Sequence, residues 1–138
     1  MRVTLRQKNL EITPALRVYI ESKLLKSVRR LMKNVMTQSL PILDLEFGRS
    51  TRHHRKGRVY HAEANLTLDG TLLRAEVDDE DIRAACDLLA EELEREIVTY
   101  KSRARARERR GSRRVKKDLH LDPAARLYRR GRIRNEGN

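Results

Sequence analysis

Residues 58–77 read RVYHAEANLTLDGTLLRAEV and carry the clearest structural pattern in the chain. Apolar and polar residues alternate before the central Asp69-Gly70 pair, as they do in a β-strand with one buried face. Asp-Gly is a strong signal for a two-residue hairpin turn, and TLLRAEV follows as the returning strand. We therefore predict an antiparallel hairpin. Its first strand presents an apolar face formed by Tyr60, Ala62, Ala64, Leu66 and Leu68.

Two further strands are predicted before this hairpin. RVTLRQ (residues 2–7) places Val3 and Leu5 on one side. ILDLEFG (residues 42–48) alternates in the same way. The strands between residues 43 and 77 each show one apolar face, which is typical of an antiparallel sheet covered on one side.

Two amphipathic helices complete the pattern. Thr13-Pro14 is a helix start, with a hydroxyl cap followed by proline at the first helical position. The first helix covers roughly residues 14–33, with an apolar stripe of Leu16, Ile20, Leu24, Val28 and Leu31. The acidic residues 78–81 suit the start of the second helix, because carboxylates interact favourably with a helix N-terminus. Its stripe consists of Ile82, Cys86, Leu89, Leu93, Ile97 and Tyr100.

The element order is therefore β-α-β-β-β-α. Two helices packed on one face of a four-stranded sheet close a single α+β core. We predict that residues 1–102 form this domain and that residues 103–138 form a basic, flexible C-terminal tail. A short helix is also expected at 121–131.

Charge is unevenly distributed along the 138 residues, whose formal net charge is +12. Residues 1–100 contain 17 Lys or Arg and 16 Asp or Glu, whereas residues 101–138 contain 15 and four. Ten of these cations lie in residues 101–117, which we call the basic run. We expect a frayed extension of the second helix here, then flexibility until an anion binds. This distribution favours a polyanionic partner.

The sequence gives no indication of an enzyme or a metal site. His53 and His54 lie in a basic loop that repels cations, and His61 falls on the polar face of a strand. Cys86 lies within an apolar stripe, whereas a nucleophile needs an exposed thiolate with a base nearby. The acids of the second helix are predicted to form a solvated face. We therefore expect no catalytic residue, no metal and no cofactor.

Cysteine use and hydropathy indicate the compartment. A single cysteine fits a reducing environment. No stretch is long and apolar enough to span a membrane. We expect a cytoplasmic protein that makes no membrane contact.

Basic residues on the first helix are the strongest candidate binding surface. Lys23, Lys26, Arg30 and Lys33 step by three, four and three along one flank, with Arg29 just behind. We call these five residues the basic face. Because the second helix carries most of the acids, this segregation favours docking on phosphate in one orientation. An ordinary solvated face is the alternative that the spacing leaves open. The loop 49–58 adds Arg49, Arg52, Arg55, Lys56 and Arg58.

The element order also suits a double-stranded-RNA-binding domain. That module needs lysines at the start of its last helix to contact phosphates across a groove, whereas this chain has DDEDIRAA at residues 78–85. The polar strand faces also offer no aromatic platform for stacked bases. The remaining possibility is that the protein recognises nucleic acid by its shape and charge.

Two stretches resemble the ribosome hibernation-promoting factor family, including its ribosome-associated inhibitor branch. They are EITPALRVYIESKLLK (residues 11–26) and YHAEANLTLDGTLLRAEVDDEDIRAACDLLAEELEREIVTYK (residues 60–101). The resemblance covers about residues 1–107. It implies a domain that binds the small ribosomal subunit in the channel for messenger and transfer RNA, and silences translation in stress or stationary phase.

The resemblance also implies which residues contact ribosomal RNA. On the first helix these are Lys23, Lys26, Arg29 and Arg30, and on the second they are Arg95 and Lys101. Charge alone adds Lys33 and five residues of the basic run: Arg103, Arg105, Arg107, Arg109 and Arg110.

This sequence departs from the family pattern at two places. Nothing after residue 118 resembles the ribosome-dimerising domain of longer members, so we expect a monomer when free. Asp78-Asp79 is more acidic than in many relatives, and Arg83 stands where an aromatic residue is common. Two alternatives stay open: a general RNA- or DNA-binding accessory protein acting through its tail, and a regulator that binds a protein through the acidic second helix.

Overall fold

The computed structural model describes residues 1–50 and 59–121. Its four strands form one sheet in sequence order: β1 (Arg2–Lys8), β2 (Ile42–Arg49), β3 (Tyr60–Leu68) and β4 (Thr71–Asp79). β1 pairs with β2 in parallel, and the other two pairs are antiparallel. A parallel pair needs a long crossover connection, and the helical residues between β1 and β2 provide it. The predicted element order and the α+β class are confirmed.

The Asp69-Gly70 turn closes the predicted hairpin. Leu68 pairs with Thr71, and the two turn residues between them have positive φ angles of 47° and 80°. Positive φ at both central residues is the requirement of a type I′ turn, whose twist matches that of the flanking strands. The backbone N–H and the hydroxyl of Ser39 donate to Asp69 Oδ1 at 2.8 and 2.9 Å, which ties the loop before β2 to this turn.

The first helical segment has three consecutive parts: α1 (Pro14–Ile20), a π-helical turn (Glu21–Leu25) and α2 (Lys26–Met32). Its predicted start is confirmed, because the Thr13 hydroxyl accepts a hydrogen bond from the backbone N–H of Leu16 at 3.3 Å.

The π-helical turn is a difference from the uninterrupted helix that we expected. Apolar residues recur here at every fourth position, and four residues of an ideal α-helix overshoot a full turn by about 40°. A wider turn counteracts this drift, because it contains more residues. Leu16, Ile20, Leu24 and Val28 consequently all stay buried.

The last helix, α3 (Ile82–Leu121), is longer than expected. Asp81 caps its start, since Asp81 Oδ2 accepts a hydrogen bond from Ala84 N–H at 3.0 Å. The helix continues through the basic run, where we predicted fraying, because Ala, Arg, Lys and Glu are strong helix formers. The chain divides into two compact units, Met1–Tyr100 and Lys101–Asn138. Flexibility of the tail in solution stays a prediction.

The first unit has one hydrophobic core. Side chains from the first helical segment, from one face of the sheet and from the start of α3 meet in a single cluster. Its fully buried members include Leu24, Phe47, Leu66, Leu89 and Leu93. The packing of both helices against the same sheet face leaves the outer flanks of the helices available for binding.

Candidate nucleic-acid interface

The basic face lies on the solvent side of the first helical segment. All five of its side chains are exposed, whereas four residues of the apolar stripe are buried and Leu31 is partly buried. Lys23 belongs to the π-helical turn and the other four follow it in α2 or cap its end. The structure therefore brings together the five residues Lys23, Lys26, Arg29, Arg30 and Lys33 on one element.

Two cations of the basic face are bound to carboxylates of α3. Lys23 Nζ lies 3.5 Å from Asp87 Oδ1, and Arg30 Nη2 lies 3.2 Å from Glu94 Oε1. We predicted a solvated acidic face for α3, and this prediction is wrong for Asp87 and Glu94, which contact the neighbouring helix.

Tyr19 contacts the Lys23–Asp87 ion pair, near the start of α3. Its hydroxyl lies 2.8 and 2.9 Å from the two carboxylate oxygens of Asp87. The hydrogen bond to Asp87 raises the pKa of Tyr19, with desolvation second. Lys23 Nζ and the Arg83 guanidinium lie 5.6 and 5.3 Å from the centre of the same ring, within cation–π range. Arg83, which departs from the family pattern, is therefore part of this cluster.

Glu94 repeats the arrangement two turns further along α3. The Ser27 hydroxyl donates to Glu94 Oε1, which also accepts from Arg30. Each carboxylate thus binds one hydroxyl and one cation. The contacts advance in the same direction along both elements, so the two helices run parallel.

The other three cations of the basic face differ in their surroundings. Within residues 1–50 and 59–121, Lys26, Arg29 and Lys33 form no ion pair with a carboxylate. An open depression of about 240 Å³ is lined by Lys26, Ser27 and Arg30. An anion that enters this depression meets Lys26, which has no carboxylate partner among the described residues, beside Arg30, which is paired with Glu94.

Arg95 of α3 is bound within its own helix. Its guanidinium lies 3.1 Å from Glu92 and 3.9 Å from Glu91, at the spacings of neighbouring helical turns. The structure does not bring Arg95 to the basic face. Its predicted RNA contact stays a prediction.

In the second unit, the basic run is helical and exposed from residue 102 onward. Arg103, Arg105, Arg107 and Arg109 step by two, so successive members point to nearly opposite sides of the helix. Lys101 is half-buried, and Arg110 is exposed like its neighbours. A polyanion therefore meets positive charge on opposite sides of this helix. Residues 122–131 of the predicted short helix lie outside the described residues. So do four cations of the loop 49–58, which are Arg52, Arg55, Lys56 and Arg58.

Sequence reasoning missed four residues that organise the basic face: Tyr19, Ser27, Asp87 and Glu94. The acids are seven residues apart and each directly follows a buried residue, Cys86 or Leu93. That position beside the apolar stripe is the signal that indicates a contact with the neighbouring helix.

His61 and Cys86, which the sequence analysis considered as candidate site residues, have ordinary surroundings in the fold. His61 Nδ1 lies 2.7 Å from Asp78 Oδ1 on the open face of the sheet. In the part of the chain that the structure describes, no group of three or more His, Cys, Asp or Glu residues is placed to hold a metal ion. Burial raises the pKa of the Cys86 thiol to about 12.

No described helix is both long and apolar enough to cross a bilayer.

The chain matches a known protein family over most of its length. Residues 3–105 match the family described as Sigma 54 modulation protein / S30EA ribosomal protein. A ribosome hibernation promoting factor from Azotobacter vinelandii is 29% identical over 103 residues, which are 75% of this chain and 85% of that protein. A ribosome hibernation promotion factor from a Picosynechococcus strain is 24% identical over 103 residues. The chain spans 50% of the length of that cyanobacterial relative.

Two solved structures share the fold. The N-terminal domain of Protein Y from Thermus thermophilus is 28% identical with a TM-score of 0.53, covering 72% of this chain and 99% of that one. A ribosomal subunit interface protein from Coxiella burnetii is 22% identical with the same TM-score of 0.53, covering 74% and 99%. At that identity the Coxiella protein supports the fold alone.

Proposed function

Because the chain belongs to the Sigma 54 modulation protein / S30EA ribosomal protein family, we propose that it is a ribosome hibernation factor. It binds the small ribosomal subunit in the channel for messenger and transfer RNA and silences translation during stress or stationary phase. The names of the Azotobacter and Picosynechococcus relatives support this proposal.

The observation that carries the proposal is the exposed basic face on the first helical segment. The exposure of Lys26, Arg29 and Lys33 supports a contact with phosphates, and the core beneath them holds the segment that carries them. Cations on a rigid element fix register and orientation on RNA, whereas base edges supply sequence. A surface of this kind suits a folded RNA of fixed shape.

The mechanism is steric and needs no chemical step. A domain held in the channel by phosphate contacts excludes the ligands that use the same space. The proposed partners are ribosomal RNA and neighbouring ribosomal proteins, and no cofactor takes part. Release follows when the competing ligands are abundant or when salt weakens the phosphate contacts.

A cell-free translation system tests this function. The protein should block initiation on free small subunits, and initiator transfer RNA bound beforehand should reduce the block. Equal inhibition of ribosomes already engaged on a message would contradict the proposed site.

The second candidate is a general RNA- or DNA-binding accessory protein. The exposed cationic helix of the basic run favours it, because such a surface binds any polyanion. Sedimentation of cell extract on a sucrose gradient separates the candidates. Migration with small subunits or whole ribosomes supports hibernation, whereas spread over all nucleic acid supports the accessory role. A peak away from both indicates a protein partner.

A further inference from the structure

Asp87 and Glu94 place negative charge inside a surface that the proposed function assigns to RNA. A carboxylate and a phosphate oxygen make the same charge-assisted hydrogen bonds to Lys and Arg. At 3.5 Å from Lys23 Nζ and 3.2 Å from Arg30 Nη2, the two carboxylates occupy positions that phosphates would otherwise take.

These carboxylates are held independently of the cations. Asp87 accepts the Tyr19 hydroxyl at 2.8 Å, and Glu94 accepts the Ser27 hydroxyl. Each acid therefore stays in place when its cation turns toward another anion.

The ion pairs themselves are weak. The side chains of the Lys23–Asp87 pair are 50% and 44% exposed, and those of the Arg30–Glu94 pair are 72% and 36% exposed. Exposed pairs of this kind contribute about 0–1 kcal/mol to stability. The fold therefore does not depend on them, and only a phosphate that is held at a fixed position gains enough to displace a carboxylate.

We propose that Asp87 and Glu94 set the selectivity of the basic face against non-specific nucleic acid. Each carboxylate neutralises the cation that it pairs with, so a flexible polyanion gains little from Lys23 and Arg30. Lys26, Arg29 and Lys33 remain available to phosphates at fixed positions. Specificity of this kind arises when a protein carries groups that repel the wrong partner, here carboxylates that repel non-specific nucleic acid. The inference rests on the proposed function for the identity of the correct partner.

The test compares two full-length double variants with equal net charge. Asp87→Asn with Glu94→Gln removes both charges but keeps an oxygen that accepts the Tyr19 or Ser27 hydroxyl. The control is Glu11→Gln with Glu80→Gln, because both side chains are exposed and form no ion pair within residues 1–50 and 59–121. Circular dichroism and urea unfolding establish that both variants are folded.

Binding to single-stranded poly(U) and to isolated small ribosomal subunits is measured at several salt concentrations. Two released cations should steepen the poly(U) salt slope by about 1.4 units, at about 0.7 per contact on a single strand, and tighten binding at 0.1 M salt on the order of tenfold. Small-subunit affinity should rise less, so that the ratio of the two affinities falls.

Equal changes in the test and control variants, or unchanged poly(U) binding, would overturn the inference. Absence of small-subunit binding by the unaltered chain would instead contradict the proposed function. The poly(U) comparison still reports on the two carboxylates in that case.

Discussion

The Tyr19 hydroxyl binds the carboxylate of Asp87, at 2.8 and 2.9 Å from its two oxygens, and so joins the first helical segment to α3 across 68 residues of sequence. The same carboxylate pairs with Lys23. One residue of α3 therefore connects the packing of the two helices with the charge of the basic face.

Replacing Tyr19 by Phe should lower the urea midpoint of unfolding at neutral pH. The pKa of Tyr19 is raised above its ordinary value of 10.0 in the folded chain, chiefly by the hydrogen bond to Asp87. The stabilising effect of this hydrogen bond is therefore fully present below pH 10, and it is lost as the pH rises through the pKa of Tyr19 in the folded chain. Urea unfolding from pH 7 to 11 should show the difference between Tyr19→Phe and the unaltered chain shrinking above pH 10.

Tyr100→Phe is the matched control for that series. Within the described residues the Tyr100 hydroxyl forms no hydrogen bond, so Tyr100→Phe removes a phenol hydroxyl without breaking a contact between the two helices. A pH-independent effect of Tyr19→Phe would show that ring packing, not the bond to Asp87, is what the substitution disturbs.

The hairpin, the strand faces and the helix stripes were predictable because each depends on residues close in sequence. Alternation identified the strands, and Asp69-Gly70 identified the turn. Thr13-Pro14 predicted the exact residue at which the first helical segment starts. These signals also specified which side chains enter the core, including Phe47 and Leu93.

The π-helical turn was not predictable in the same way. A stripe with a four-residue period is compatible with drift around an α-helix or with a wider turn, and the choice depends on what the sheet presents opposite Leu24. The Tyr19–Asp87 and Ser27–Glu94 contacts were missed for a related reason. They depend on the relative position of two helices, which local periodicity does not give.

Leu24→Ala tests the packing of the π-helical turn. Leu24 is fully buried, and truncation of a buried leucine costs about 2–5 kcal/mol in the free energy of unfolding. Leu40→Ala is the matched control, since Leu40 is 64% exposed and its truncation should change stability by about 0.5 kcal/mol or less. Urea unfolding of both variants measures the difference. Equal, small effects would contradict the packing described for Leu24.

Removing the residues after Arg103 tests the basic run. If four to six of its cations meet phosphates, truncation should flatten the salt dependence of small-subunit binding by about three to five units. The first unit should still bind its site, because its shape sets the position and the basic run adds charge and on-rate. The control is a full-length chain in which the removed residues are replaced by a neutral linker of equal length. Parallel salt slopes for all three chains would show that the basic run is a solvated spacer.

We propose that the basic face contacts the ribosome, and two triple variants that lose equal charge test this proposal. Lys26, Arg29 and Lys33 are changed to Ala in one chain. Arg2, Arg6 and Lys8, which are exposed on β1, are changed to Ala in the other. Both lose the same charge, and the measurement is affinity for isolated small ribosomal subunits at 0.1 M salt. The first variant should bind on the order of 100-fold more weakly, as expected for three lost phosphate contacts, and the second should bind nearly as well as the unaltered chain. Equal losses in the two variants would contradict the account.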